Sequence, residues 1–232
     1  MEYAFLEHCL REDLNETATR VMAVLDPVKL TVTNYPQGHS ETFQVENNPV
    51  DPQSGTRPLT FSRELWIERE DFMEEKVGKF FRLYPGNEVR LKGAYVVKCT
   101  GCVKDEAGRV TEILCTYDPD SRGGDPADGR KVKSTIHWVD AATAIDAEVR
   151  LYDNLFTDAD PDAADKNFLE CLNPNSLEVL TGCKVEPSLA DAAAPASFQF
   201  MRLGYFCLDS KDSKPGHLVF NRSVSLKDSF KK

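Results

Sequence analysis

The chain has 232 residues, 41% of them hydrophobic and 28% charged, with a formal net charge of −10. These proportions suit a soluble protein of one large domain or two of ordinary size, and no apolar run approaches the ~20 residues of a membrane span. The acid excess argues against a general nucleic-acid binder, so any such role must rest on local clusters rather than on the field of the whole molecule.

Seven cysteines, odd in number and scattered, suit reduced thiols in a cytoplasmic protein. The start, Met1-Glu2-Tyr3-Ala4-Phe5, lacks the basic and apolar regions of a signal peptide. Phe5, Leu6, Cys9 and Leu10 recur at helical spacing and predict a short amphipathic helix over 2–12. Asp13-Leu14-Asn15-Glu16 fits a capping box. It predicts a second helix to about Leu25, with Ala18, Val21, Met22 and Leu25 inward, stopped by Pro27.

From Val28 the pattern alternates. It predicts strands over 28–34, 41–45, 59–67, 88–100, 110–117, 131–139, 147–152, 177–185, 197–208 and 217–226. Helical pieces are expected only at 70–79 and 165–172, and the acidic 153–165 stretch reads as a linker. Strands at this spacing, without long helices between them, predict two packed antiparallel barrels or sandwiches.

The stretch 81–95 carries the strongest binding signal. Along it Val89 and Leu91 point one way, Arg90 and Lys92 the other. A three-residue loop at Pro85-Gly86-Asn87 would pair Arg82 with Arg90, and two adjacent arginines repel unless an anion joins them. Arg20, Gln199 and Arg202 are further candidates, since arginine and glutamine both make paired hydrogen bonds to base edges. Phe80, Phe81, Phe198 and Phe200 could stack unpaired bases or fill a core.

Other constellations carry less. Cys99 and Cys102 have metal-ligand spacing, but a zinc site would need Cys115 and His137 as well; a core strand followed by a turn is the simpler reading. The stretch from Asp118 to Gly129 fails as a calcium loop because Arg122 and Gly129 occupy ligand positions. No phosphate-cradling glycine loop or local nucleophile motif is present in the sequence.

Several blocks together resemble one family. They are Leu25-Asp26-Pro27-Val28-Lys29-Leu30, Leu65-Trp66-Ile67, Pro85-Gly86-Asn87-Glu88-Val89-Arg90-Leu91, Cys115-Thr116-Tyr117-Asp118, Asp128-Gly129-Arg130-Lys131, Ile136-His137-Trp138-Val139, Gly204-Tyr205-Phe206 and Phe220-Asn221-Arg222. The chain is similar, from Leu6 to Phe230, to the C-terminal anticodon-binding region of bacterial-type glutaminyl-tRNA synthetase. The resemblance implies a mainly β fold of two six-stranded antiparallel β-barrels after the end of a helical subdomain at 1–26. It places 27–72 and 166–232 in a proximal barrel and 73–165 in a distal one.

It further implies that Arg20, Gln199 and Arg202 read the central uridine of the anticodon. Arg82 would read the third base, a guanosine, and Arg90 and Lys92 would lie at the first base, a cytidine or uridine. Asn15 would touch the anticodon-loop backbone. Lys79, Phe81 and Lys92 depart from residues seen in some members, and at position 92 lysine lacks the planar fork of the family's arginine. The implied partner is glutamine tRNA through its anticodon loop, with no DNA, no membrane, and a monomeric cytoplasmic protein. The family's catalytic signatures are absent from these residues, so the chain alone should be inactive, with no cofactor of its own and ATP bound elsewhere in a full-length ligase.

Rival resemblances are the archaeal or eukaryotic glutamyl-tRNA synthetase and a stand-alone ribosomal-RNA-binding barrel. The Gln199–Arg202 element and the block around Gly129 favour the glutamine enzyme. An interaction module with no RNA ligand is what the charge alone would favour.

Overall fold

The computed structural model describes residues 3–163 and 167–228. Helix α1 covers Tyr3–Thr17 and is followed by β1 (Thr19–Val21), β2 (Ala23–Val24), β3 (Pro27–Val32), β4 (Ser40–Glu46), β5 (Thr56–Ser62), β6 (Glu64–Glu68) and β7 (Glu88–Leu91). Then come β8 (Val96–Lys104), β9 (Val110–Asp118), β10 (Thr135–Ile136), β11 (Val139–Asp140), β12 (Ile145–Tyr152) and β13 (Leu177–Val185). Strands β14 (Ser197–Phe200), β15 (Gly204–Leu208) and β16 (Leu218–Val224) complete the set.

Hydrogen bonds arrange these strands in two seven-stranded sheets, ordered β1-β14-β15-β16-β12-β13-β2 and β10-β7-β8-β9-β3-β6-β11, with the hairpin β4-β5 apart. The outermost strands of the first sheet, β1 and β2, are separated only by Met22. Those of the second, β10 and β11, are separated only by His137 and Trp138. One continuous segment therefore pairs with both edges of each sheet and closes it. Counted as continuous segments, each barrel has the six strands the resemblance implies. Pairing is mixed rather than purely antiparallel, for β1 with β14, β12 with β16, β3 with β9 and β10 with β7 run parallel.

Alternation along 21–24 explains how the two barrels share a wall. Val21 and Ala23 join a core with Phe200, Phe206 and Phe220, while Met22 and Val24 join another with Leu30, Phe61 and Trp138. Strand side chains point alternately to opposite faces, and here both faces are dry. Each fully buried side chain of this size contributes roughly 1.5–3 kcal/mol. This double burial also accounts for the failed expectation of a second helix to Leu25: four consecutive apolar residues mimic any period. The first helix runs through the supposed capping box, where the Thr17 hydroxyl donates to the Asp13 carbonyl at 2.9 Å.

The barrel bounds also differ from those expected. Strands β3 and β6, inside the 27–72 stretch assigned to the proximal barrel, pair with β9 and β11 of the other sheet. Strand β12, expected in the distal barrel, pairs with β13 and β16. One barrel is thus built from 19–24 with 145–224, and the 27–140 stretch is inserted into it. The expected boundary at 165/166 and the end of its C-terminal stretch at 229–232 lie outside the described residues. Of the expected helical pieces, 70–79 holds only the end of a 3-10 turn at Arg69–Asp71, and 165–172 holds one at Phe168–Cys171, its first two residues being outside the described set.

The barrels are clamped by buried charge. Arg57 on β5 and Glu186 after β13 are 8% and 1% exposed. Arg57 donates through Nε and Nη2 to the Glu186 carboxylate, and through Nη2 to the Arg20 carbonyl at 2.6 Å. Glu186 also accepts from the Met22 amide at 3.1 Å and from the Ser188 hydroxyl. Among the described residues no helix is long and apolar enough to cross a membrane.

Candidate nucleic-acid interface

At the end of α1 several backbone carbonyls lack helical partners, and buried Asn48 takes them up, donating to the carbonyls of Glu16 at 2.8 Å and Ala18 at 3.3 Å. That cap fixes the turn into β1 and with it Arg20, whose Nη2 donates to Asn15 Oδ1 at 3.0 Å. Arg20 is paired in register with Gln199 on β14. The Gln199 side chain is 9% exposed, and its amide nitrogen donates to the Tyr205 hydroxyl at 2.8 Å. Asn15, Arg20 and Gln199 thus form one group.

Arg202 sits two residues beyond β14 in the turn to β15, and its φ is +69°. Left-handed backbone is uncommon for a large side chain and costs about 1–3 kcal/mol. Its place there is explained by what the side chain reaches. Nη1 and Nη2 each donate to one Asp71 carboxylate oxygen at 2.7 Å, and Nη1 lies 3.2 Å from His137 Nδ1. Arg202 therefore leaves its own barrel and grips the other.

Arg82 meets the same carboxylate. Its Nη1 lies 3.1 Å from Asp71 Oδ1 and 2.9 Å from Glu70 Oε1. The expected Arg82–Arg90 pairing does not form. Leu83 instead bridges to Phe72, and β7 pairs with β8 and β10. The Pro85–Asn87 stretch turns, with the Asn87 amide bonded to the Tyr84 carbonyl at 2.9 Å, but the segment before it follows the end of the 3-10 turn rather than β7.

Between the barrels lies an open cleft of about 820 Å³. Arg20 and Met22 enter it from one side, Arg90 and Lys92 from the other, and the β4–β5 hairpin roofs it with Phe43 and Val45. Arg57 and Arg122 add two more cations, against Glu46 as the acid of the lining. Arg122 lies 4.6 Å over the Phe43 ring and donates to Glu41 at 3.0 Å. Burial raises the Glu41 carboxyl, but hydrogen bonds from Tyr95, Arg122 and Tyr35 outweigh it and hold the group below its ordinary value. Arg90 pairs with Asp125. Among the described residues, the Nε–H groups of both Arg20 and Arg90 are buried without a hydrogen-bond partner. Buried donors are seldom left unmet, and both of these belong to arginines that line the same cleft.

A second hollow, about 400 Å³, is lined by Lys76, Lys98, Lys131 and Lys133 together with Phe81 and Tyr84. Phe81 is 47% exposed, and Lys133 Nζ lies 5.5 Å from its ring centre. Of the four aromatics considered, Phe81 is an open ring. Phe198 packs on the core, and Phe200 is fully buried and stacked on Phe206 at 4.3 Å. Cys99 and Cys115 face each other across β8 and β9, both buried. His137 is instead held between Arg202 and Glu68.

Sequence reasoning missed Asp71, Arg57, Glu186 and Arg122. Asp71 is charged in sequence yet 0% exposed in the fold, and of its two cationic partners Arg202 lies 131 residues away. For the second hollow, the aromatic pair Phe80 and Phe81 was the local signal in the sequence.

Two family descriptions match the chain, both reading "tRNA synthetases class I (E and Q), anti-codon binding domain", over residues 18–118 and 135–209. Over 226 residues the chain is 57% identical to a glutamine–tRNA ligase of Clostridium perfringens, covering 97% of this chain and 41% of that protein. It is 55% identical to one from Vibrio vulnificus and 53% identical to one from Bradyrhizobium diazoefficiens, each over 100% of this chain and 41% of the relative. The chain thus spans about two fifths of the length of the curated relatives it matches.

Proposed function

The chain belongs to the anticodon-binding domains of the class I tRNA synthetases for glutamate and glutamine, and from that membership we propose that it reads the anticodon of glutamine tRNA for a glutamine–tRNA ligase. The observation that carries this is the inter-barrel cleft, where five cations converge and two arginine Nε–H groups lack partners among the described residues. A net charge of −10 over the whole chain makes such a local concentration selective for a short stretch of RNA rather than for duplex backbone at large.

In this proposal Arg20, Gln199 and Arg202 meet the central uridine. Asp71 occupies the Nη1–Nη2 end of Arg202, which leaves the Nε–Nη2 edge for a base. Arg82 meets the third base, a guanosine. Its contacts to Glu70 and Asp71 run through Nη1, so Nε and Nη2 can make the paired bonds to O6 and N7 that guanine favours. Arg90 and Lys92 face the first base from the far wall, and Asn15 meets the loop backbone. The working protein is a cytoplasmic monomer without DNA or membrane partners. The ATP-dependent attachment of glutamine is the work of the full-length ligase, with ATP held outside this chain.

The direct test is binding of the chain to glutamine tRNA and to an anticodon-altered version. The natural anticodon should bind more tightly, and equal affinity would remove the base-reading proposal. Arg82→Ala should weaken discrimination at the third base by about 1–3 kcal/mol. A uniform loss across all tRNAs would reassign Arg82 to a phosphate contact.

A further inference from the structure

Arg82 and Arg202 come from different barrels, yet Asp71 holds both. Its Oδ1 accepts from Arg202 Nη2 at 2.7 Å and lies 3.1 Å from Arg82 Nη1. The carboxylate is fully buried, and the Leu83 amide donates to its backbone carbonyl at 2.9 Å, which ties it to the Arg82 segment. On the other side Arg202 Nη1 touches His137, whose Nε2 lies 3.4 Å from Glu68 Oε1. Glu68 in turn accepts the backbone amides of Leu25 at 2.8 Å and Asp26 at 3.1 Å. The shared carboxylate is thus part of one chain of contacts that spans the wall between the barrels.

Resting on the anticodon reading above, we propose that Asp71 is a positioning residue that makes recognition of the second and third anticodon bases interdependent. A buried carboxylate divided between two guanidiniums holds each less tightly than it would hold one. When the Arg82 charge is removed, Asp71 is left with Arg202 alone and grips it harder in the unbound pose. Arg202 is then drawn toward Asp71, which shifts its Nε–Nη2 edge away from the central base. Such coupling requires a difference in contact between two states, which the shared Oδ1 supplies, and it must be reciprocal.

The test uses the whole chain and three RNAs: glutamine tRNA, and versions altered at the second or at the third anticodon position. Arg82→Ala is expected to reduce discrimination at the third position and also, by about fivefold, at the second. Arg82→Lys keeps a cation beside Asp71 but lacks the planar fork, so it should lose third-base discrimination and keep second-base discrimination at the wild-type level. Arg82 is partly exposed, and neither variant opens the core. Asp71→Asn should alter discrimination at both positions. The proposal is overturned if Arg82→Ala leaves the second position unchanged, if lysine fails to restore it, or if every RNA weakens by one factor. Equal binding of all three RNAs by the unaltered chain would instead sink the anticodon reading itself.

Discussion

Glu186→Ala is expected to lower the stability of the chain by about 3–5 kcal/mol, the usual result of breaking a buried ion pair from one side. The carboxylate is 1% exposed and receives Arg57, the Met22 amide and the Ser188 hydroxyl. Its removal leaves the Arg57 guanidinium buried, with backbone carbonyls and Asn47 for company. Denaturant titration of the variant reads the effect directly, and a loss below about 1 kcal/mol would mean that water already reaches the pair. Because Arg57 also donates to the Arg20 carbonyl at 2.6 Å, the variant should loosen the cleft as well. Pairing it with Arg57→Met should recover much of the stability, since replacing both charges is often neutral where removing one is not.

Arg202→Ala should bring the largest loss in recognition. Discrimination at the central base is expected to fall by about 1–3 kcal/mol, the worth of one good arginine–base contact, read by comparing glutamine tRNA with a version altered at that position. The same variant leaves Asp71 with Arg82 as its cationic partner and removes a side chain held at φ +69°. The backbone cost stays, since alanine keeps the Cβ that causes it, and the variant should also be less stable, because each partner deprived of a buried carboxylate bond costs about 1–3 kcal/mol. A variant that melts earlier yet still discriminates at the central base would show Arg202 to be a structural clamp.

The β class and most turns were legible because period-two patterning is a local property. The inward placement of Val89 and Leu91 and the outward placement of Arg90 follow from alternation alone, and both inward residues are fully buried. Alternation does not say which strand lies alongside. The Arg82–Arg90 pairing expected from turn length does not form, and the Arg82 segment lies along the end of the Arg69–Asp71 turn instead. The apolar run at 21–24 misled for a different reason, since a wall between two cores has no polar face to betray its period.

By itself the sequence determined a β-rich chain with arginines set on and beside its strands, and its resemblance implied two barrels. Only the tertiary structure decided how those arginines are held. Arg202 finds its carboxylate 131 residues away and Arg57 finds Glu186 at 129. Local patterning sets the direction in which a side chain points. The partner it meets depends on which distant segments the closing of the two barrels brings to the same buried wall.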